Sequence, residues 1–384
     1  MKQRRIKILQ LQPECHDRSH DPSDLAEQIV AAFPQDRFEF TSAFLQGKPL
    51  PSQPPSCAEK THYFDLPESA FKGLRLRLKW DLYRFCRKHN FDVVICNRYK
   101  PVSAIQFLNR WLNIPVCVGI SHGLGEYKTA WRRYFARRNI DNKWHFVGVS
   151  QAVTEYLMAQ ECGFTRNNTT TINNAIDISQ TETALYTRDE ARSQLQLPNN
   201  LVVIGAIGRL AKVKGHIHLV RGFAHVASEF QDAALAIIGD GKEEASLRRA
   251  AEELGIASRL HLLGWRDKAG KYAGAFDILV MPSLSEGLPR ALLEGMCARL
   301  PIIASDIPAL RPIVESAGGQ LFPPENERAL ADELRHILRL TAEERRKKGE
   351  QAYIYLVTNH TIEAYQAAYK KLIEDLLERN SHGF

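Results

Sequence analysis

No apolar run in the chain approaches the ~18–20 residues that a helix needs to cross a bilayer, so no membrane span is predicted. Cysteine is sparse and unpatterned: seven residues, at 15, 57, 86, 96, 117, 162 and 297, odd in number and without Cys-x-x-Cys spacing. That pattern excludes a disulfide framework and a zinc site, and it predicts a reducing, cytoplasmic compartment. The basic N-terminus, Met1 to Gln10, has too short an apolar part for a signal-peptide core and is expected to be a first strand. No solenoid repeat is visible. No nucleic-acid-binding fold motif accompanies the basic residues, so nucleic acid is not expected as a partner.

What is present is enough chain for two domains: 384 residues, 44% hydrophobic and 25% charged, the balance of a soluble globular protein. The charge is uneven. Residues 1–166 carry 25 Lys and Arg against 16 Asp and Glu, a net of +9, whereas the remainder is −2. Such an asymmetry points to an anionic or membrane-surface partner for the first half. Within it, Phe71–Lys88 places Leu74, Leu78, Leu82 and Phe85 at helical spacing among arginines and lysines. That segment reads as a helix packed on a sheet, with a basic outer face able to meet an acidic membrane surface. Trp131–Arg138 is a second basic, aromatic segment.

Short apolar runs recur as strands: Arg4–Leu11, Phe38–Phe44, Tyr63–Leu66, Phe91–Asn97, Pro115–Ile120 and His145–Ser150, then Leu201–Ile207, Ala234–Ile238, Arg259–Leu263, Phe276–Met281, Pro301–Ala304 and Gly319–Phe322. Helical patterns separate most of them. In the first half Asp21 or Ser23 is expected to cap a helix from Leu25 to Phe33, and Ser150 one from Ala152. In the second, helices are expected over about 216–230, 243–254, 268–275, 289–298, 309–315 and 329–340, with a last one over 361–378. The alternation predicts parallel, doubly wound sheets. Gln12–Pro22 reads as a polar loop, and 179–200 as a linker with a small helix.

The richest stretch is Ser283-Leu-Ser-Glu-Gly-Leu-Pro-Arg-Ala-Leu-Leu-Glu294, directly after the Phe276–Pro282 run. Ser283 or Ser285 suits a helix cap and Pro289 the first helical position. The amides of Gly287 and Leu288 then fall at a helix N-terminus, which favours an anionic ligand. Glu286 lies in the turn, and Glu294 lies on a helix whose neighbours are apolar all round, which predicts burial. A second glycine-rich turn, Gly205-Ala-Ile-Gly-Arg-Leu-Ala-Lys-Val-Lys-Gly-His216, leaves the carboxyl end of a strand and enters a helix, where open α/β sheets hold ligands. His122-Gly123 stands at the end of another strand.

Together these motifs resemble glycosyltransferase family 4, the retaining enzymes of the GT-B fold. The matching features are Glu286-x7-Glu294, Gly208-Arg209-Leu210 with Lys214-Gly215, His122-Gly123, the Leu263-Gly-Trp-Arg-Asp267 turn, and Asn174-Ala-Ile-Asp177 in place of the family's Asn-Gly-Val/Ile-Asp. The pair of glycines that the family often carries after its first strand is absent. The resemblance implies two doubly wound Rossmann-like domains facing across a cleft. Residues 1–178 with a crossover helix at 361–384 would form the acceptor side, and residues 179–360 the nucleotide-sugar side.

By the same resemblance Arg209 and Lys214 bind the nucleotide diphosphate, with Lys212 as a fallback, and Glu294 holds the ribose. Glu286, Gly287, Leu288 and Pro289 contact the sugar and its phosphate, and Glu286 positions rather than attacks. Gly264, Trp265 and Arg266 hold the nucleobase, though Trp265 is equally consistent with ordinary packing. His122 faces the donor, and with Glu286, Arg209 and Lys214 it makes the implied catalytic set. No Asp-x-Asp pair, the metal-binding signature of the other large glycosyltransferase fold, occurs in the chain, so no metal and no cofactor beyond the donor substrate is expected. The implied activity is metal-independent, retaining transfer of a hexose-type sugar from a nucleotide-diphosphate sugar to a saccharide or lipid-linked acceptor. Lipopolysaccharide core or another cell-envelope glycan is the first expectation for that acceptor, met in the cytoplasm or at the inner face of the cytoplasmic membrane. A GT-B sugar-nucleotide epimerase and a non-catalytic nucleotide-sugar-binding scaffold stand as alternatives.

Overall fold

The computed structural model of the chain describes residues 4–15, 19–21, 23–51 and 53–381. Met1–Gln3, and residues 16–18 and 22 of the polar loop expected at 12–22, lie outside the described residues. The chain divides into two compact units, the first running to Asn174 and resuming at Ile362, the second covering Ala175–Thr361.

The first unit contains, in chain order, β1 (Ile6–Gln12), α1 (Leu25–Ala31), β2 (Phe38–Phe44), β3 (Lys60–Tyr63), α2 (Leu76–His89), β4 (Val93–Asn97), α3 (Tyr99–Leu112), β5 (Val116–Ser121), α4 (Ala130–Asn139), β6 (Trp144–Gly148), α5 (Gln151–Met158) and β7 (Thr169–Thr171). The second contains α6 (Ile178–Ala184), α7 (Arg188–Leu195), β8 (Val202–Ile207), α8 (His216–Ala224), β9 (Ala233–Ile238), α9 (Glu244–Glu253), β10 (Leu260–Leu262), β11 (Ile278–Met281), α10 (Arg290–Cys297), β12 (Ile302–Ser305), α11 (Arg311–Ser316), β13 (Gln320–Phe322), α12 (Glu327–Arg339) and α13 (Ala342–Asn359). A final helix, α14 (Ile362–Ser381), returns to the first unit, where the Tyr365 hydroxyl donates to the Leu25 carbonyl of α1.

Each unit is one parallel sheet, in the order β3-β2-β1-β4-β5-β6-β7 and β10-β9-β8-β11-β12-β13. These are the two doubly wound, Rossmann-like sheets that the alternation predicts. The central strands are apolar throughout because helices cover both faces; β4, β5, β9 and β11 are buried along their whole length. Strand order reverses between β1 and β4 in one sheet and between β8 and β11 in the other. At such switch points the crossover helices diverge to opposite faces and leave a crevice at the strands' carboxyl ends.

Several local expectations shift. Asp24, not Asp21 or Ser23, caps α1, because the Asp21 carboxylate turns to the Ser23 amide. Leu74 falls outside the helical stripe, since α2 begins only after a left-handed Arg75. The third strand ends at Tyr63 rather than starting there, and residues 269–275 wind as a 3₁₀ turn. Ahead of the Asn174-Ala-Ile-Asp177 motif the chain is a strand only over Thr169–Thr171, and Ile176 bridges singly to Thr361. Helices α3, α4 and α13 are not among the expected helices. Ser150 caps α5 as expected, accepting from the Val153 amide.

One buried cation staples the second unit. Arg192 of α7 is fully buried and donates to the carbonyls of Ala275, Pro198, Asn199 and Leu201 and to Asp277 at 2.7 Å. Asp277 also accepts from the Val203 amide at the start of β8. Arg192→Met would remove one donor from each of four carbonyls and a carboxylate. We expect that variant to lose about 3–5 kcal/mol of unfolding free energy by urea titration, and a loss under 1 kcal/mol would contradict the stapling role.

Candidate functional site

At the switch point of the second unit, the turns after β8 and β11 meet. The β8 turn runs Gly208-Arg209-Leu210-Ala211, winds once through Lys212–Lys214, and reaches Gly215 at φ +65° before α8. Glycine is required there twice over: φ lies in the left-handed region, and an added Cβ would overlap the Pro282 carbonyl oxygen. The two turns are pinned further by the Leu284 amide, which donates to Val213 O at 2.8 Å.

This approach brings Lys214 Nζ to 2.6 Å from Glu286 Oε1, across 72 residues of sequence. The Ser283 hydroxyl donates to the same carboxylate oxygen at 2.6 Å. Both charged side chains are mostly buried, at 20% and 10% exposure, so the pair is screened far less than a surface ion pair. Ser283 is itself buried and donates its hydroxyl to Glu286; α10 starts five or more residues past Ser283 and Ser285, so neither caps it. The helix instead begins at Arg290 with Pro289 in the capping position. Gly287 and Leu288 form the buried turn between Glu286 and that helix start.

The next turns gather alongside. Gly239, at the end of β9, has a φ of +149°, and an added Cβ would overlap the Gly208 carbonyl. Its amide donates to Gly264 O at 2.9 Å, which joins the turn after β10 to the group. Beyond Gly264 the Trp265 indole is 53% exposed, so it does not pack at the strand end. Arg266 folds onto the Trp265 carbonyl at 3.0 Å.

Helix α10 is largely buried, as expected, and Glu294 keeps only 13% exposure. Leu292, Leu293, Met296 and Cys297 are buried in the core, and Glu294 and Arg290 stand 3.4 Å apart, both mostly buried. The Glu294 carboxylate sits over Gly270, where an added Cβ would come within 2.6 Å of it. Arg209 and Lys212 are exposed, and among the described residues neither side chain has a hydrogen-bond or ion-pair partner. Buried beneath the β8 turn lies His216, which burial pushes down to about 4 and so holds neutral.

In the first unit the β5 end carries His122, partly buried, with Nε2 3.0 Å from Asn97 Oδ1 at the end of β4. An amide oxygen there assigns the proton to Nε2 and leaves Nδ1 as an acceptor. Burial, with the Arg98 charge second, pushes His122 down to about 3. Glu126 closes the turn, accepting from the Ser121 hydroxyl at 2.9 Å and the His122 amide at 3.2 Å, and burial raises its carboxyl above the ordinary value. Arg98 holds a strained φ of +67° between β4 and α3 and exposes its guanidinium. Arg132 donates to Glu126 O at 2.8 Å and lies 4.3 Å over the Tyr99 ring.

Asn97, Arg98, Glu126, Arg132 and Ser283 escaped the sequence reading as site residues. Only the four-residue step from His122 to Glu126 and the three-residue step from Ser283 to Glu286 could have signalled two of them.

Two family models match the chain: "Glycosyltransferase Family 4" over residues 25–180 and "Glycosyl transferases group 1" over residues 187–355, one on each parallel sheet. The chain belongs to glycosyltransferase family 4. This family 4 chain is 25% identical over 240 residues to an Escherichia coli UDP-Gal:alpha-D-GlcNAc-diphosphoundecaprenol alpha-1,3-galactosyltransferase, matching 59% of this chain and 60% of that protein. It is 27% identical over 191 residues to the lipopolysaccharide core biosynthesis glycosyltransferase LpsE of Rhizobium meliloti, matching 47% of this chain and 52% of that one. The matches thus span little more than half the length of these relatives. Among solved structures, Anabaena Alr3699/HepE in complex with UDP superposes with a TM-score of 0.75 at 18% identity, covering 96% of this chain and all of the other; the likeness shows the GT-B fold.

The histidines set a pH dependence. His122, His145 and His216 are pushed by burial to about 3, 4 and 4, against 6.5 in an unfolded chain. As pH falls through 6.5 the unfolded chain takes up protons that the folded chain refuses, so stability falls. The urea midpoint is expected to drop on going from about pH 7.5 to about pH 5; a midpoint that holds or rises would contradict the neutral assignment.

Proposed function

We propose that this chain is a retaining glycosyltransferase that moves a hexose-type sugar from a nucleotide-diphosphate sugar to a saccharide or lipid-linked acceptor of a cell-envelope glycan. The observation that carries the reading is the Lys214–Glu286–Ser283 cluster at the β8/β11 switch point, rimmed by glycine turns and the exposed Arg209. Breaking a glycosidic bond to a nucleoside diphosphate builds negative charge on the leaving phosphate. A lysine held at the switch point, joined by the exposed Arg209, stabilises that charge without a metal.

In this reading Lys214 trades Glu286 for the diphosphate when the donor binds, and Arg209 supplies the second cation. Glu286 then keeps its contact with Ser283 and turns its carboxylate to the sugar hydroxyls, which positions the anomeric carbon. Glu294, its carboxylate over Gly270, takes the ribose hydroxyls. The Gly264–Arg266 turn, with its exposed Trp265, borders the base. His122, neutral with a free Nδ1, acts as a hydrogen-bonding group and not as a cation. Retention follows if the leaving phosphate itself takes the acceptor's proton, a route that asks for no enzyme nucleophile.

The donor and acceptor classes draw support from relatives. HepE is solved with UDP and with UDP-glucose, and LpsE carries lipopolysaccharide core biosynthesis in its name. We place the acceptor among anionic, membrane-anchored glycans, met from the cytoplasmic side, because the first unit holds the chain's excess positive charge.

Thermal-shift screening of UDP-, GDP- and ADP-sugars should find one that raises the melting temperature by about 5 °C at saturation. Lys214→Met should abolish that shift and lower the transfer rate by about 10²–10³-fold, while chelation by EDTA leaves the wild-type rate unchanged. No shift with any donor, or loss of transfer on chelation, would contradict the reading.

A further inference from the structure

Residues 72–139 carry fifteen Lys and Arg against three Asp and Glu, more than the whole chain's net charge. The same span holds six of the eleven exposed large hydrophobic side chains among the described residues: Leu74, Leu76, Trp80, Trp111, Trp131 and Tyr134, each more than half exposed. A helix on a soluble sheet normally turns such groups inward. Here α2 does so with Leu78, Leu82 and Cys86, and still presents Leu76 and Trp80, one turn apart, on its opposite side.

The exposed groups stand on, or just before, three helices that touch in series. Lys79 of α2 lies 3.9 Å over the Phe107 ring of α3. Arg110 of α3 stacks on Phe107 and Trp111 and donates to Asn139 at the end of α4 at 2.6 Å. On α4, Trp131 and Tyr134 stack at 5.8 Å beside Arg137 and Arg138. Arg84, Arg87 and Arg137 are exposed, and among the described residues none has an ion-pair partner. The α2–α3–α4 face therefore combines unneutralised cations with leucine and tryptophan that no part of the first unit covers.

We propose that this face docks on an anionic lipid bilayer, with Leu74, Leu76, Trp80 and Trp131 entering the headgroup region. Tryptophan and tyrosine suit the interface, where the ring meets acyl chains and the polar edge meets water. Arginine and lysine gain from the negative surface potential, and their stems lie along the apolar boundary. Charge complementarity selects this occupant. A second copy of the chain would set cation against cation, and a nucleic acid would leave Leu74 and Leu76 without a hydrocarbon phase. The inference deepens the proposed function by naming the surface on which a lipid-linked acceptor is met. It is read without sugar transfer, so it stands or falls separately.

The test is co-sedimentation of the full chain with vesicles of phosphatidylcholine, with and without about 30% phosphatidylglycerol, at low salt. The chain should bind the anionic vesicles and ignore the neutral ones, with a blue shift of tryptophan emission. Arg84→Gln/Arg137→Gln should weaken binding by about thirtyfold. Trp80→Ser/Trp131→Ser should remove the blue shift and the binding that survives about 0.5 M salt. All four substitutions are on exposed positions, and unchanged circular dichroism confirms folding. Equal binding to neutral vesicles, indifference to the arginine pair, or tryptophan variants that change oligomeric state but not vesicle binding would overturn the proposal.

Discussion

The Lys214–Glu286 ion pair is the constraint on which the second unit's site depends. It joins two turns that leave adjacent strands, β8 and β11, and it forms only because Gly215 lets the first turn touch the Pro282 carbonyl of the second. A carboxylate and an ammonium this far from water each carry a desolvation cost, which their mutual contact and the Ser283 hydroxyl offset. The arrangement holds a cation ready where the turns after β8 and β11 meet. Its partner can be exchanged for a phosphate with no change in the number of charges that are paired.

Charge is distributed with equal economy in the first unit. His122 is the residue most readily taken for a cation, yet burial and the neighbouring Arg98 keep it neutral, and Asn97 fixes its tautomer. Positive charge is left to groups that cannot lose it: Arg98 at its strained backbone position and Arg132 over Tyr99. The turn after β5 therefore pairs a neutral hydrogen-bonding ring with permanent cations, an arrangement suited to handling anions at neutral pH.

How much of this could be read from the residues alone follows from the range of the interactions involved. The parallel sheets were legible because buried central strands need unbroken apolar runs, and β4, β5, β9 and β11 have them. Ser150 and its helix were legible because capping is local. So was the capping box of α13, where Thr341 and Glu344 stand three apart, although it went unread. The Lys214–Glu286 contact was not legible, since no local rule joins residues 72 apart; the family motifs named both without pairing them. The burial of Glu294 was legible from its apolar neighbours, although nothing local showed that Arg290, one turn earlier, would stand 3.4 Å from it. Ser283 looked like a cap, but the chain winds into a helix only from Arg290, and the Ser283 hydroxyl goes to Glu286 instead.

A crystal structure of the chain with a nucleoside diphosphate such as UDP tests the central claim most directly. The account predicts the diphosphate between the Gly208–Lys214 turn and the Ser283–Arg290 turn, with Lys214 Nζ moved from Glu286 to a phosphate oxygen and Ser283 still holding Glu286. A diphosphate bound elsewhere, or bound there with the Lys214–Glu286 contact intact and no cation on the phosphate, would contradict it.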